Sequence, residues 1–364
     1  MDTFAFIIHP IDSKRDISRK YPFLGHIAND WMIYHFSPYF PPVFLSEVEG
    51  VTSASTGKQI KGWLIACPLS PQHFWGLPEK RVYRKIIDTG RMAERLGAQI
   101  LGLGAFTSVV GDAGLTISKA LDVPVTTGDS YTVAVAVQAI QEAARLLEIP
   151  IESASAAVVG ASGAIGRVCA ELLSREVAEV LLIGRNLEAL DRLKNELTTR
   201  GATSQLSTST NMADLRKTQL ILTVTSSMGA VIEPEHISPG SVVCDVARPR
   251  DVAVQVKATR EDVLVIDGGM VEVPGAVDFH FNFGLPPGKT YACMAETIAL
   301  ALEGRFEDYS IGKDISIERV KEITQIAWKH GFRLSGFRSF EQPVLEETIE
   351  RVRQRAKAFK RTGC

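Results

Sequence analysis

The stretch that most restricts what this chain can fold into runs from Ala156 to Gly166, AAVVGASGAIG. Its apolar run Ala157-Val158-Val159 leads straight into a glycine-rich turn, and an amphipathic run, Arg167 to Ser174, follows without a breaker. Buried strand, glycine turn and helix in that order are the parts of a dinucleotide-binding βαβ unit. Gly160 permits the tight turn, Gly163 lets the backbone approach a pyrophosphate, and Gly166 lets the helix lie close to the strand. Free N–H groups at the helix start then face the phosphates. The candidate cofactor residues of this turn are Gly160, Ala161, Ser162, Gly163, Ile165 and Gly166.

A second strand pattern, Val180 to Ile183, ends in Gly184-Arg185-Asn186. An NAD enzyme usually places an acid here to hold the ribose hydroxyls. Arg185 is instead a cation suited to a 2′-phosphate, so the pattern points to NADPH, with Arg185 and Asn186 as further candidates. Three more buried strands are expected at Leu220–Val224, Ser241–Asp245 and Val263–Asp267, with a charged helix at Leu187–Thr199. Strands that end in small or polar residues and alternate with helices describe a doubly wound parallel α/β sheet. Ligands sit at the carboxyl ends of such strands, which adds Thr225 and Gly268 to the candidates.

Ahead of this unit the sequence predicts a strand at Thr3–His9 and a hairpin of Val43–Val51 with Gln59–Cys67. A helix over Glu79–Leu96 carries a basic side (Lys80, Arg81, Arg84, Lys85, Arg91) that reads as a solvated face. The run from Trp31 to Phe44, broken by Pro38, Pro41 and Pro42, reads as a loop pinned onto the core by its rings. A pocket lining is the other reading of that run. Ile100 to Ser108 is a short strand opening into small residues, a place for a ligand to approach the backbone. A helix from Tyr131 to Glu148, capped by Asp129 or Ser130, bridges into the nucleotide unit. The expected division is an N-terminal α/β substrate domain (1–128), a Rossmann NADPH-binding domain (129–289, bridging helix 130–148), and a segment 290–364 whose helices pack back across the cleft.

A chain of 364 residues has room for two ordinary domains. Its Lys+Arg total of 40 against Asp+Glu of 42 gives a net charge of −2, so no overall field points to nucleic acid. The apolar run Phe4 to Ile8 is too short for a membrane span or a signal core, and no transmembrane segment is expected. Five scattered cysteines form neither a disulfide framework nor a metal spacing, which fits a reducing cytoplasm. The histidines are equally dispersed, and no metal site is expected.

One cysteine stands apart. After Pro286-Pro287-Gly288 comes Lys289 to Glu296, and a helix pattern then runs through Leu302 and stops at Gly304. With Thr290 as N-cap, Cys293 is the third helical residue, at a start that the prolines and glycine expose on a loop. A thiol there faces free N–H groups and the positive end of the helix dipole, which favour the nucleophilic thiolate. Cys67, Cys169, Cys244 and Cys364 lack that placement, and an inert core cysteine is the ordinary alternative.

The segments GWLIACPLSP (62–71), LGLGAFTSVV (101–110), TTGDSYT (126–132), VVGASGAIG (158–166), LLIGRN (181–186), DGGMVE (267–272), YACMAE (291–296) and KHGF (329–332) carry a resemblance. Together they resemble the long-chain acyl-acyl carrier protein reductases best known from cyanobacteria, which form a fatty aldehyde from an acyl thioester with NADPH. The resemblance implies that Cys293 takes the acyl group, from acyl carrier protein or coenzyme A. Glu296 and His330 are the candidate proton donors. A stimulation by Mg2+ rests on the resemblance alone, and assembly into a homo-oligomer is left open.

Two stretches depart from the family pattern. The chain runs on from Arg333 to Cys364, with a helix whose start is acidic (Glu346, Glu347, Glu350) and whose end is basic (Arg351 to Arg361), a polarity that suits the helix dipole. That end could also dock an acidic carrier. The insert Val273 to Pro286 contains Phe279, Phe281 and Phe283, which, with the aromatics of 31–44, could house an acyl chain. Two rival readings remain: a shikimate- or amino-acid-type dehydrogenase needing a Lys/Asp pair, for which Lys119 and Asp112 are on hand, and a non-catalytic NADPH-sensing protein.

Overall fold

The computed structural model describes residues 1–23 and 29–362, so Cys364 lies outside the described residues. The chain forms two units: Met1–Thr132 with Met270–Arg333, and Val133–Gly269 with Leu334–Cys364.

Unit 1 is built on β1 (Asp2–Ile8), β2 (Val43–Thr52), β3 (Gln59–Ala66), β4 (Leu101–Leu103) and β5 (Val125–Thr126). Strand order runs β2-β3-β1-β4-β5, with Gly275–Asp278 added outside β2. β2 and β3 are the expected antiparallel hairpin, and β3, β1, β4 and β5 are parallel. On one face Ala5, Ile7, Ile65 and Leu101 pack against Val82, Ile86 and Ala93 of the amphipathic Glu79–Leu96 helix. On the other face the Ala292–Glu303 helix lies so close to β4 that a Cβ on Gly102 would sit 2.1 Å from the Thr297 hydroxyl. That glycine admits a helix, where the sequence suggested an approaching ligand.

Unit 2 carries β6 (Ser155–Val159), β7 (Glu179–Ile183), β8 (Gln205–Ser209), β9 (Leu220–Thr223), β10 (Val242–Asp245) and β11 (Leu264–Asp267). Its order, β11-β10-β9-β6-β7-β8, is all parallel and reverses at β6, the doubly wound arrangement of a dinucleotide fold. The expected strands are present within a residue or two at each end. β8 was not expected; its polar QLSTS sequence suits a sheet edge and gives little apolar signal.

Domain boundaries differ from the expectation. The second unit ends at Gly269, not at 289, because Met270–Glu272 pairs antiparallel with Lys289–Tyr291 inside unit 1. The segment 290–364, expected as one piece, is divided between the units after Arg333. The bridging helix spans Asp129–Leu146, so Asp129 and Ser130 are its first residues and not caps. The C-terminal helix, Glu346–Thr362, belongs to unit 2. There Arg353 donates to the Leu146 carbonyl at 2.8 Å, and Lys357 pairs with Glu148 at 2.7 Å. Arg353, one of the cations read as a basic end, therefore satisfies a carbonyl at the C-terminus of the bridging helix, while Lys357 pairs with a carboxylate just beyond it.

The aromatic run is also not a pinned loop. Asp30–Phe36 is a helix capped by the Asn29 side chain, followed by a 3-10 turn at Ser37–Tyr39. Ile33 and Pro38 turn inward, while Trp31, Phe36, Tyr39 and Phe40 stay exposed.

Candidate functional site

In unit 2 the predicted turn is formed as a cradle. Gly160 has φ +83°, and a Cβ there would stand 2.8 Å from the Val224 carbonyl. Only glycine takes that conformation without strain. The Gly160 and Ala161 N–H groups donate to Ile183 on β7, which fixes the turn to the neighbouring strand. Gly163 precedes the Ala164–Leu173 helix as its N-cap, and no side chain blocks the first N–H groups. A Cβ on Gly166 would lie 2.2 Å from the Gly160 carbonyl, so the helix can approach the turn only with glycine there. Ser162 and Gly163 are exposed, Ile165 is half-buried and Ala161 is buried.

Those features fit a dinucleotide: a glycine cradle, a helix start free for a pyrophosphate, and an exposed Arg185 at the end of β7. The remaining candidates have structural partners. Asn186 caps the Leu187–Thr199 helix by accepting the Ala189 N–H at 3.1 Å. Thr225 donates its N–H and its hydroxyl to Asp251 (2.9 and 2.5 Å), and Thr223 donates to the same carboxylate at 2.6 Å. Gly268 donates its N–H to the Asp245 carbonyl, and a Cβ there would crowd Cys244 Sγ at 2.8 Å. Asp251 is fully buried and ties down the carboxyl end of β9 and the residues after it; it was not legible from the sequence, because its partners lie 26 and 28 residues away.

Unit 1 holds the cysteine. The helix Ala292–Glu303 has Tyr291 as N-cap, so Cys293 is its second residue rather than its third. Thr290 cannot cap because it pairs with Val271 in the Lys289–Tyr291 strand, where its hydroxyl faces Met294 Sδ. The helix start is accordingly not an exposed loop: Ala292 and Met294 are buried and Cys293 is half-buried.

The charge around the sulfur also differs from the expectation. Burial pushes the Cys293 thiol up to about 12, and the Asp129 carboxyl adds to the rise. Backbone N–H groups of Met294 and Cys293 oppose this, as a helix start should, but they are outweighed. Asp129 is itself pushed up to about 8, first by burial and then by the charge of Glu296, with the Thr127 hydroxyl opposing. Glu296 is fully buried, accepts the Tyr131 N–H at 2.8 Å and the Thr126 hydroxyl at 2.5 Å, and is raised chiefly by burial. Two acids thus crowd one thiol, and Asp129 stays largely protonated near neutral pH.

The approach is enforced by Gly128, which joins β5 to the bridging helix at φ +78°. A Cβ on Gly128 would lie 2.2 Å from the Cys293 Cα. The turn therefore rests directly on the cysteine backbone. Asp129 was legible only as a helix cap; an acid at the carboxyl end of a buried strand was the available signal.

His330 is not gathered with these groups. It ends the Ile317–His330 helix, with Nδ1 on the Ser53 hydroxyl at 2.8 Å and Nε2 on the Glu303 carboxylate at 2.7 Å. Glu303 closes the cysteine helix, ten residues beyond Cys293, so the histidine sits about 15 Å further along that axis. Burial lowers its pKa, with Glu303 opposing. The Lys119/Asp112 pair is not made either. Asp112 spends its carboxylate on Thr116, and Lys119 is exposed with no ion pair among the described residues.

The shikimate/quinate 5-dehydrogenase family model matches residues 141–268, within unit 2. Over 257 residues the chain is 34% identical to the aminotransferase PigE of Serratia sp., which covers 70% of this chain but only 30% of that protein. Over 346 residues it is 30% identical to a long-chain acyl-[acyl-carrier-protein] reductase of Synechococcus elongatus, covering 91% of this chain and 98% of that one. The chain belongs to this reductase family, as a distant member. Among solved structures, the quinate dehydrogenase of Corynebacterium glutamicum in complex with NAD is 11% identical, with a TM-score of 0.39, covering 90% of this chain and 99% of that one. The family membership and the doubly wound unit make the chain an oxidoreductase of the dehydrogenase/reductase type. Among the described residues no helix is long and apolar enough to cross a membrane.

Proposed function

We propose that this chain reduces a long-chain fatty acyl thioester, carried on acyl carrier protein or coenzyme A, to the free aldehyde through an acyl-enzyme on Cys293. The observation that carries the reading is the half-buried thiol beside a buried acid, Asp129, whose carboxyl titrates near 8. A thiol raised to about 12 is nearly all protonated at neutral pH, so attack needs a base at the sulfur.

Asp129, in its ionised fraction, takes the thiol proton as Sγ bonds to the thioester carbonyl carbon. The carbon–sulfur bond to the carrier then breaks, and Asp129 returns the proton to the departing carrier thiolate. The N–H groups at the start of the cysteine helix stabilise the oxyanion. NADPH, when bound, supplies the hydride that reduces the acyl group. Gly160, Gly163 and Gly166, with Ser162 in the same turn, would hold its pyrophosphate, and the exposed Arg185 would supply a cation for its 2′-phosphate. The bond from Sγ to the reduced carbon breaks, aldehyde leaves, and the Cys293 thiolate regains a proton from water through Asp129. Net consumption is one proton and one hydride per thioester.

Glu296 acts through Asp129: held by the Tyr131 N–H and the Thr126 hydroxyl, its carboxylate when ionised raises the Asp129 pKa and makes Asp129 the stronger base. His330 keeps a structural role between Ser53 and Glu303.

The test is aldehyde release and NADPH consumption with palmitoyl-coenzyme A and palmitoyl-carrier protein. The two should rise together, with activity lost in Cys293→Ala while NADPH binding persists. NADPH oxidation with shikimate, quinate or amino acids and none with thioesters would replace this reading by the dehydrogenase one. NADPH binding with no turnover of either class would favour a sensor.

A further inference from the structure

Among the described residues, every largely exposed aromatic side chain except Trp328 lies between Tyr21 and Trp75. The rings gather on the outside of unit 1. Trp31 stacks on His35 at 4.4 Å and meets Phe36 edge-on at 6.4 Å, and Tyr34 stacks on His73 of the Pro71–Gly76 helix at 4.6 Å. Arg81 lies over the Tyr39 ring at 4.8 Å, and Lys85 donates to the Phe40 carbonyl at 2.8 Å. These contacts join the aromatic face to the first two turns of the Glu79–Leu96 helix.

Two basic stretches border that face. Residues 13–20 carry Lys14, Arg15, Arg19 and Lys20 against Asp16, and residues 79–85 carry Lys80, Arg81, Arg84 and Lys85 against Glu79. Eight cations thus meet two carboxylates there, whereas the whole chain has a net charge of −2. Some of the cations are committed: Arg19 pairs with Asp16, and Lys20 donates to the Leu45 carbonyl. Lys14, Lys80 and Arg84 are exposed, with no carboxylate partner among the described residues. Asp30 is the one exposed acid within the aromatic helix.

Rings of this size left in water cost the molecule apolar area and mark an interaction site. Protein–protein interfaces favour aromatics and arginine but are depleted in lysine. A bilayer surface favours tryptophan and tyrosine at headgroup depth together with lysine and arginine against anionic lipid. Lysine on both borders points to the second. We propose that the face bearing Trp31, Phe36, Tyr39 and Phe40, with Lys80 and Arg84 on its rim, docks on an anionic lipid bilayer, on which the protein lies without spanning it. The inference is independent of the reductase reading, since none of these residues touches Cys293 or the glycine cradle.

The experiment is flotation of the full chain with phosphatidylcholine vesicles, with or without phosphatidylglycerol, at about 0.1 M and about 0.5 M salt. The protein should float with the anionic vesicles at low salt and be released at high salt. Lys80→Gln/Arg84→Gln should weaken binding roughly 30-fold, at about fivefold per charge. Trp31→Ala/Phe36→Ala should abolish flotation, while Trp328→Ala, which lies outside the face, should leave it unchanged. Unchanged thermal melting shows that the variants are folded. Equal flotation with neutral vesicles, or flotation kept by Trp31→Ala/Phe36→Ala, would overturn the proposal. So would failure to float combined with a dimer in analytical ultracentrifugation that Trp31→Ala/Phe36→Ala dissociates, which would assign the face to self-association.

Discussion

Replacing Asp129 by Asn separates two things that the acid does to Cys293. Its carboxyl titrates at about 8 in the fold, against an ordinary 3.8. Between those values the folded state holds a proton that the unfolded chain has lost, so stability falls as pH rises from about 4 to about 8. The limiting slope for one proton is about 1.4 kcal/mol per pH unit. Asn is a neutral near-isostere, so Asp129→Asn should match the wild type below about pH 4 and become progressively more stable than it as pH rises toward 8. Chemical denaturation at a series of pH values reads this directly. Reactivity should move the other way. Above pH 8 the ionised Asp129 holds the thiol protonated, so the variant should react faster with iodoacetamide there. Acyl transfer from a thioester, which needs the base, should fall by about 10²-fold or more. Wild-type acylation should rise with pH through about 8, and the variant should lose that limb. Slower alkylation together with slower acylation would mean that Asp129 only orders the site. Unchanged acylation would refute its role as base.

Glu296→Gln removes the charge that helps raise Asp129, so the rise in acylation should shift to lower pH, visible in the same single-turnover profile. Gly128→Ala forces a side chain into a left-handed turn and against Cys293 Cα, and should cost about 2–5 kcal/mol in urea unfolding. Gly166→Ala pushes the helix off the Gly160 carbonyl and should abolish NADPH binding by fluorescence titration at little cost to the Cys293 alkylation rate. Arg185→Ala should raise the Kd for NADPH by about 10–100-fold and leave NADH unaffected.

What could be read from the sequence was local. Strand, turn and helix around Gly160 lie within twenty residues, and each carries its own signal: an apolar run, glycines where a Cβ would clash, then amphipathic spacing. The hairpin and the Glu79–Leu96 helix were legible for the same reason. Contacts distant in sequence were not. Thr126 and Glu296 are 170 residues apart, so the acidic surroundings of Cys293 could not be seen, and the dipole argument alone gave the wrong sign for its thiol. Burial outweighs the helix start there. The one-residue error at Thr290 has a similar origin, since a good capping residue was already paired in a strand. The aromatic run was misread because rings usually face a core, and these do not.

Intact-protein mass spectrometry after mixing with a long-chain acyl-coenzyme A or acyl-carrier thioester, with NADPH withheld, tests the central claim most directly. The account predicts a mass gain of one acyl group, absent in Cys293→Ala and discharged as aldehyde when NADPH is added. An unmodified mass with every acyl thioester, in protein that still binds NADPH, would contradict it.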